Sequence, residues 1–153
     1  MILLSYNSQT AGKKERRKEL KILVVDGQGG GIGKQLVSQI RNAVPEADIF
    51  AVGTNSLASQ AMLKAGADAA ATGENALIVN CRKADVIVGP IGIVIADALL
   101  GEISPAMASA VAQSTAKRIL IPTNLCDNYI AGIGDTTVSV LISDCIEKIR
   151  SFI

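Results

Sequence analysis

Residues 21–35 read KILVVDGQGGGIGKQ, and the fold is decided there. An apolar run over residues 22–25 ends at Asp26. Five glycines then fall within the seven residues 27–33, and an amphipathic segment starts directly behind them. A buried strand, a tight turn able to cradle a phosphate and a helix are expected in that order. The order is what gives the glycines meaning, since a bare glycine cluster without a strand before it and a helix after it carries little.

Outward from this stretch, short apolar runs alternate with helical segments. Residues 32–43 place Ile32, Leu36, Val37 and Ile40 on one helical face, and Pro45 marks the exit. Strand two covers residues 48–52, helix two residues 57–65 with Gly66 as its C-cap, and strand three residues 67–71. A helix then runs to about Cys81. Strand four, residues 85–88, is almost purely apolar, as a strand buried on both faces should be. Residues 93–100 read as a helix that is apolar on nearly every side, stopped by Gly101. Ser104-Pro105 is an N-cap followed by proline at the first helical position, opening a helix to about Ser114. Strand five covers residues 118–121, and a closing helix covers 138–149. This alternation specifies a three-layer, Rossmann-like α/β fold. Its parallel sheet has five or six strands in the order 3-2-1-4-5, the sixth a weak edge strand at residues 129–133.

The chain has 153 residues, of which 49% are hydrophobic and only 3% aromatic, so the core must come from Ile, Val, Leu and Ala. Residues 21–153 are expected to form one nucleotide-binding domain, and residues 1–20 a disordered basic tail whose removal costs little stability. Six of the fifteen Lys and Arg residues and two of the fourteen acidic residues lie in residues 1–21. The body is left mildly acidic, without the basic surface that nucleic acid requires. No run is long enough for a membrane span and no signal peptide is evident, so a cytoplasmic location is expected. The three cysteines are widely spaced and indicate neither a disulfide framework nor a metal site. There is no histidine, which removes Ser–His, Cys–His and His-ligated metal chemistry.

Gly27, Gln28, Gly29, Gly30, Gly31, Ile32 and Gly33 fit G-x-x-x-G-x-G, which resembles the cofactor turn of the short-chain dehydrogenases. Gly27 would permit the tight turn, Gly31 the approach of a pyrophosphate to backbone N–H groups, and Gly33 close packing of the helix on strand one. The alternative is a degenerate loop that binds nothing. A Walker A loop fails, because Gln28 and Gln35 stand where it needs glycine and a hydroxyl. Asp26 stands where the dehydrogenases carry a small hydroxyl residue; it either caps the turn backbone or meets a cation. Ligands of open parallel sheets sit where the strand order reverses. The turn should therefore face Gly89, Pro90, Ile91 and Gly92 after strand four, with Thr123 and Asn124 lining the same crevice. Cys126 lies there too, as a thiol of the site or as a small buried hydrophobe. Strand two ends in Gly53-Thr54-Asn55-Ser56, without the carboxylate that meets ribose hydroxyls in NAD-selective proteins. Thr54, Asn55 and Ser56 can donate to a phosphate instead, so NADP(H) is expected to bind at least as well as NAD(H); the alternative is that they simply cap helix two.

The runs DGQGGGIGK, AVGTNSLASQAMLKAGADAAATGENA, IVGPIGIVIADALLGEISPAMA and KRILIPTN, in that order, resemble a family of small bacterial proteins described as a conserved domain of unknown function. The resemblance covers roughly residues 21–133 and implies a Rossmann-like fold. It brings no catalytic residue. The reading is therefore a binding or sensor module for a dinucleotide, NAD(P). The rivals are a nucleotide-dependent enzyme acting with a partner chain, and an interaction protein that keeps only the fold. No Tyr-x-x-x-Lys pair exists to donate a proton, so the ordinary short-chain dehydrogenase reaction is not expected. A homodimer or higher homo-oligomer is expected, because the segment 93–100 is more apolar than one sheet face requires.

Overall fold

The computed structural model describes residues 18–123 and 127–153. Five strands, β1 (Lys21–Asp26), β2 (Asp48–Gly53), β3 (Ala69–Thr72), β4 (Val86–Pro90) and β5 (Lys117–Ile121), alternate with the helices α1 (Gly31–Ala43), α2 (Ser56–Lys64), α3 (Glu74–Cys81) and α4 (Pro105–Gln113). A fifth helix, α5 (Val138–Arg150), closes the chain. All four strand pairings are parallel, and the sheet order is β3-β2-β1-β4-β5. That order and the alternation are those expected from the sequence.

Both faces of the sheet are covered, and β1 shows why. Ile22 and Val24 face one side with α1, α2 and α5, where they meet Leu36, Ile40, Met62 and Ile149. Leu23 and Val25 face the other side with α3 and α4, against Leu77, Ile87, Met107 and Val111. A strand buried on both faces has no polar side to show, so it reads as a continuous apolar run. Helix starts follow their side chains. Asn55 Oδ1 accepts the Ala58 N–H (2.9 Å) before α2, and Ser104 Oγ accepts the Met107 N–H (3.2 Å) before α4.

Two expected elements are absent. Residues 129–133 form no sixth strand; only an Ile133 N–H bond to the Ile130 carbonyl (3.4 Å) marks a turn there. The segment 93–100 is not a helix. A single 3-10 turn, Ile91–Val94, is followed by turns in which Asp97, Leu99, Leu100 and Gly101 take left-handed φ values of 64°, 55°, 58° and 88°. The reason is burial. A helix would send part of an all-apolar surface into water, whereas the folded-back chain lays Ile93, Ala98, Leu99 and Ile103 on the sheet and leaves Leu100 outside. The bends are held by Asp97 N–H to the Ile103 carbonyl (2.7 Å) and Ile103 N–H to the Ala98 carbonyl (3.2 Å). Left-handed backbone costs about 1–2 kcal/mol per non-glycine residue, of the order that one fully buried Leu or Ile returns. The expected ground for a dimer, an apolar helix in excess of the sheet's needs, is thereby removed.

At the chain start, the tail expectation falls mostly on residues 1–17, outside the described residues. Lys18 Nζ lies 3.3 Å from Asp85 Oδ1, and Leu20 packs on the core beside α1. Among the described residues no helix is long and apolar enough to cross a membrane.

Gly89 tests the β1–β4 junction. A Cβ there would lie 2.3 Å from the Val25 carbonyl oxygen, which is backbone and cannot swing aside. Gly89→Ala should cost about 2–3 kcal/mol and lower Tm by about 5–10 °C. Gly29→Ala, whose Cβ would meet nothing within 4 Å, should leave Tm within about 2 °C of wild type in the same calorimetric melts. Equal melting of the two variants would contradict the packing.

Candidate functional site

The turn Gly27–Gly33 is built around the Asp26 carboxylate at the end of β1. Asp26 is 5% exposed. Its Oδ1 accepts the Gly27 N–H (2.8 Å) and its Oδ2 accepts the Gly33 N–H (2.7 Å). One carboxylate thus spans the turn from its first residue to its last, and Asp26 is the backbone cap that was one of its two readings. Inside the span the chain reverses through left-handed Gln28 (φ 49°) and Gly30 (φ 71°), with the Gly30 N–H bonded to the Gly27 carbonyl (2.9 Å). The N–H groups of Gly29 and Gly31 have no acceptor among the described residues, and both glycines are exposed.

Each glycine has its own physical reason. A Cβ on Gly33 would lie 2.6 Å from Met62 Sδ and 2.8 Å from Asp26 Cβ, so its bareness lets α1 sit against both β1 and α2. On Gly30 a Cβ would approach the Ala58 Cα to 2.9 Å. A Cβ on Gly31 would meet nothing within 4 Å among the described residues. Gly27 is bare because of neighbours: a Cβ would lie 2.7 Å from Thr54 Oγ1 and 2.9 Å from Leu99 Cδ1.

Leu99 is the link to the second glycine loop. Gly89, Pro90 and Gly92 are buried and Ile91 is half-buried. A Cβ on Gly92 would touch Leu99 Cδ2 at 3.4 Å. At the carboxyl edge of β1 and β4 the Leu99 side chain lies against both loops, beside Gly27 and Gly92. Gly89 itself serves strand pairing.

The end of β2 joins the same cluster through a residue that the sequence reading did not single out. Glu102 Oε2 accepts the Gln28 N–H (2.9 Å), and its Oε1 accepts from Thr54 Oγ1 (3.1 Å) and Asn55 Nδ2 (2.7 Å). Asn55 Nδ2 also reaches the Gln28 carbonyl (2.9 Å). Ser56 is exposed in the first turn of α2. A carboxylate therefore does stand at the end of β2, brought from the loop after β4, and the premise for a preference towards NADP(H) does not hold. One signal could have found it: between Asp85 and Lys117 the only charged residues are Asp97 and Glu102.

Thr123 lies beside the N-terminus of α1. With Ile32, Tyr129, Asp135, Thr136 and Leu141 it lines an open cavity of about 640 Å3. Asn124 and Cys126 lie outside the described residues. Burial pushes the Cys81 thiol up to about 11 and, with Asp144 adding repulsion, the Cys145 thiol to about 12, so neither is a thiolate near neutral pH.

Burial raises the Asp26 pKa above the ordinary carboxylate value, the N–H groups of Gly33, Gly27 and Ile32 oppose that rise, and the Glu102 charge adds to it. Between the ordinary and the raised value, the folded chain keeps a proton that the unfolded chain has released. Stability then falls as pH rises through that window and levels off above it. Asp26→Asn abolishes the titration and loses one backbone acceptor. In urea melts from pH 4 to pH 8, the wild-type advantage over Asp26→Asn should be largest near pH 4 and shrink as pH rises. An advantage that grows with pH contradicts the assignment.

Comparison with known proteins adds the following. No curated protein matches the sequence. A dodecameric FMN-dependent UbiX-like decarboxylase from Escherichia coli O157:H7 is similar in structure, with a TM-score of 0.45 and 16% identity over 86% of this chain and 76% of that one. A likeness that distant says nothing about ligand. The family model described as "Domain of unknown function (DUF3842)" matches residues 21–153. From the first residue of β1 to its last residue, the chain belongs to the DUF3842 family.

Proposed function

We propose that the chain is a nucleotide-binding module whose ligand is a dinucleotide of the NAD(P) type, with its pyrophosphate against the turn Gly27–Gly33. One observation carries this reading. Gly29 and Gly31, both exposed, present two N–H groups without acceptors among the described residues at the start of a thirteen-residue helix, where the strand order reverses between β1 and β4. Unpaired donors and the positive end of a helix favour an anion. Asp26 supports the reading geometrically, because it satisfies Gly27 and Gly33 from below and leaves the outer donors free.

The residues present fit such a ligand. Among the described residues nothing lies within 4 Å of where a Gly31 Cβ would stand, and Gly33 keeps α1 close to β1. The cavity beside Ile32 and Thr123 has room for a ring system next to the helix start. The enzyme reading would draw on Thr123, Asn124 and Cys126 as polar groups, and no observation favours it over the module. Association with a second copy remains part of the proposal, supported now by the exposed side chains Tyr129, Ile133 and Val138 around that cavity.

Gly31→Val tests the site. The position has open space and no left-handed φ, so the variant should fold with a Tm within about 3 °C of wild type. Its branched side chain should shield the N–H groups and weaken binding of NAD(P) by at least about tenfold, or about 1.4 kcal/mol, in calorimetric titration. Equal affinity in both proteins would remove the assignment.

A further inference from the structure

Among the described residues, Glu102 is the one carboxylate whose hydrogen bonds tie the β1–α1 turn to the end of β2. Its partners come from both: the Gln28 N–H at 2.9 Å, the Thr54 hydroxyl at 3.1 Å and the Asn55 amide at 2.7 Å. In dinucleotide-binding sheets, the ribose of the adenosine half lies between those same two segments, and its hydroxyls are met by an acidic side chain at the end of strand two. Strand two of this chain ends in Gly53-Thr54-Asn55 and has no acid of its own. The loop after β4 supplies one. Its approach is fixed by Leu99, which packs on Gly27 and Gly92, and by the left-handed turns at Asp97, Leu99 and Leu100 that fold the loop back.

We propose that Glu102 is the residue that reads the ribose, accepting its hydroxyls and excluding a 2′-phosphate, so that the ligand class is NAD(H) and not NADP(H). The inference rests on the dinucleotide reading above. A carboxylate has about four acceptor positions. Oε1 takes two protein donors and Oε2 takes one, which leaves Oε2 a lone pair for a ribose hydroxyl. A 2′-phosphate in the same place would set two anions against each other. The groups that donate to the carboxylate are Thr54, Asn55 and the backbone of Gln28, none of them cationic.

The test is calorimetric titration of the full chain with NAD and with NADP, for wild type, Glu102→Ala and Glu102→Gln, with thermal melts to check folding. Wild type should bind NAD at least tenfold more tightly than NADP. Both variants should lose that ratio by at least tenfold, chiefly through tighter NADP binding. Glu102→Gln keeps the side-chain length and an acceptor for the Gln28 N–H, so it reports on charge even if Glu102→Ala unfolds the loop. A wild type that binds NADP as well as NAD, or variants that keep the wild-type ratio, would overturn the inference and leave the dinucleotide reading standing. Binding of neither dinucleotide by any of the three proteins would overturn both together.

Discussion

Two hydrogen bonds to the Asp26 carboxylate, one from each end of the glycine turn, set the geometry on which the carboxyl edge of this sheet depends. The carboxylate is the last residue of the central strand and is buried, and it grips Gly27 and Gly33 at once. Hydrogen bonds to a charged group contribute about 1.5–3 kcal/mol each, and here they offset only part of the cost of burial, which still raises the Asp26 pKa. The consequence is steric as well as electrostatic. With its first and last N–H groups held by Asp26, the turn reverses through Gln28 and buried Gly30, and Gly29 and Gly31 are the exposed donors left without an acceptor among the described residues.

The loop between β4 and α4 completes that edge by an unusual route. An apolar run that could have extended as a helix folds back instead, because the sheet beneath it needs Ile93, Leu99 and Ile103 more than the chain needs regular backbone. Three non-glycine residues accept left-handed conformations as a result. The same fold-back sets Leu99 against the two glycine loops and carries Glu102 across to the end of β2. One packing requirement thus produces both the wall of the crevice and its second carboxylate. Glu102 stands on the β2 side of the edge, and on the α5 side opens the cavity beside Ile32, lined by polar side chains such as Asp135 and Thr136 as well as apolar ones.

Much of this was legible in the sequence because it is local. Strand order follows from the alternation of strands and helices, and every helix and strand that was correctly read lies within two residues of its expected bounds. The caps Asn55, Ser104 and Asp26 act within a few residues of themselves. What was illegible is long-range. Residues 93–100 have no period, so composition could not separate a helix from a folded-back loop; the sheet surface decided it. Glu102 bonds to groups 47, 48 and 74 residues away, and no local pattern announces such a partner. For Tyr129 and its neighbours, apolar side chains alone suggested an edge strand. In the structure they border the open cavity beside α1 and pair with no strand.

The central claim is that the turn leaves Gly29 and Gly31 for a ligand anion while Asp26 holds Gly27 and Gly33. Backbone amide resonances of the isotopically labelled chain, followed during addition of NAD, test it most directly. The account predicts that the Gly29 and Gly31 amides move furthest and in step with saturation, whereas those of Gly27 and Gly33 stay near their starting positions. Saturable shifts confined to residues outside the turn, with Gly29 and Gly31 unmoved, would contradict it.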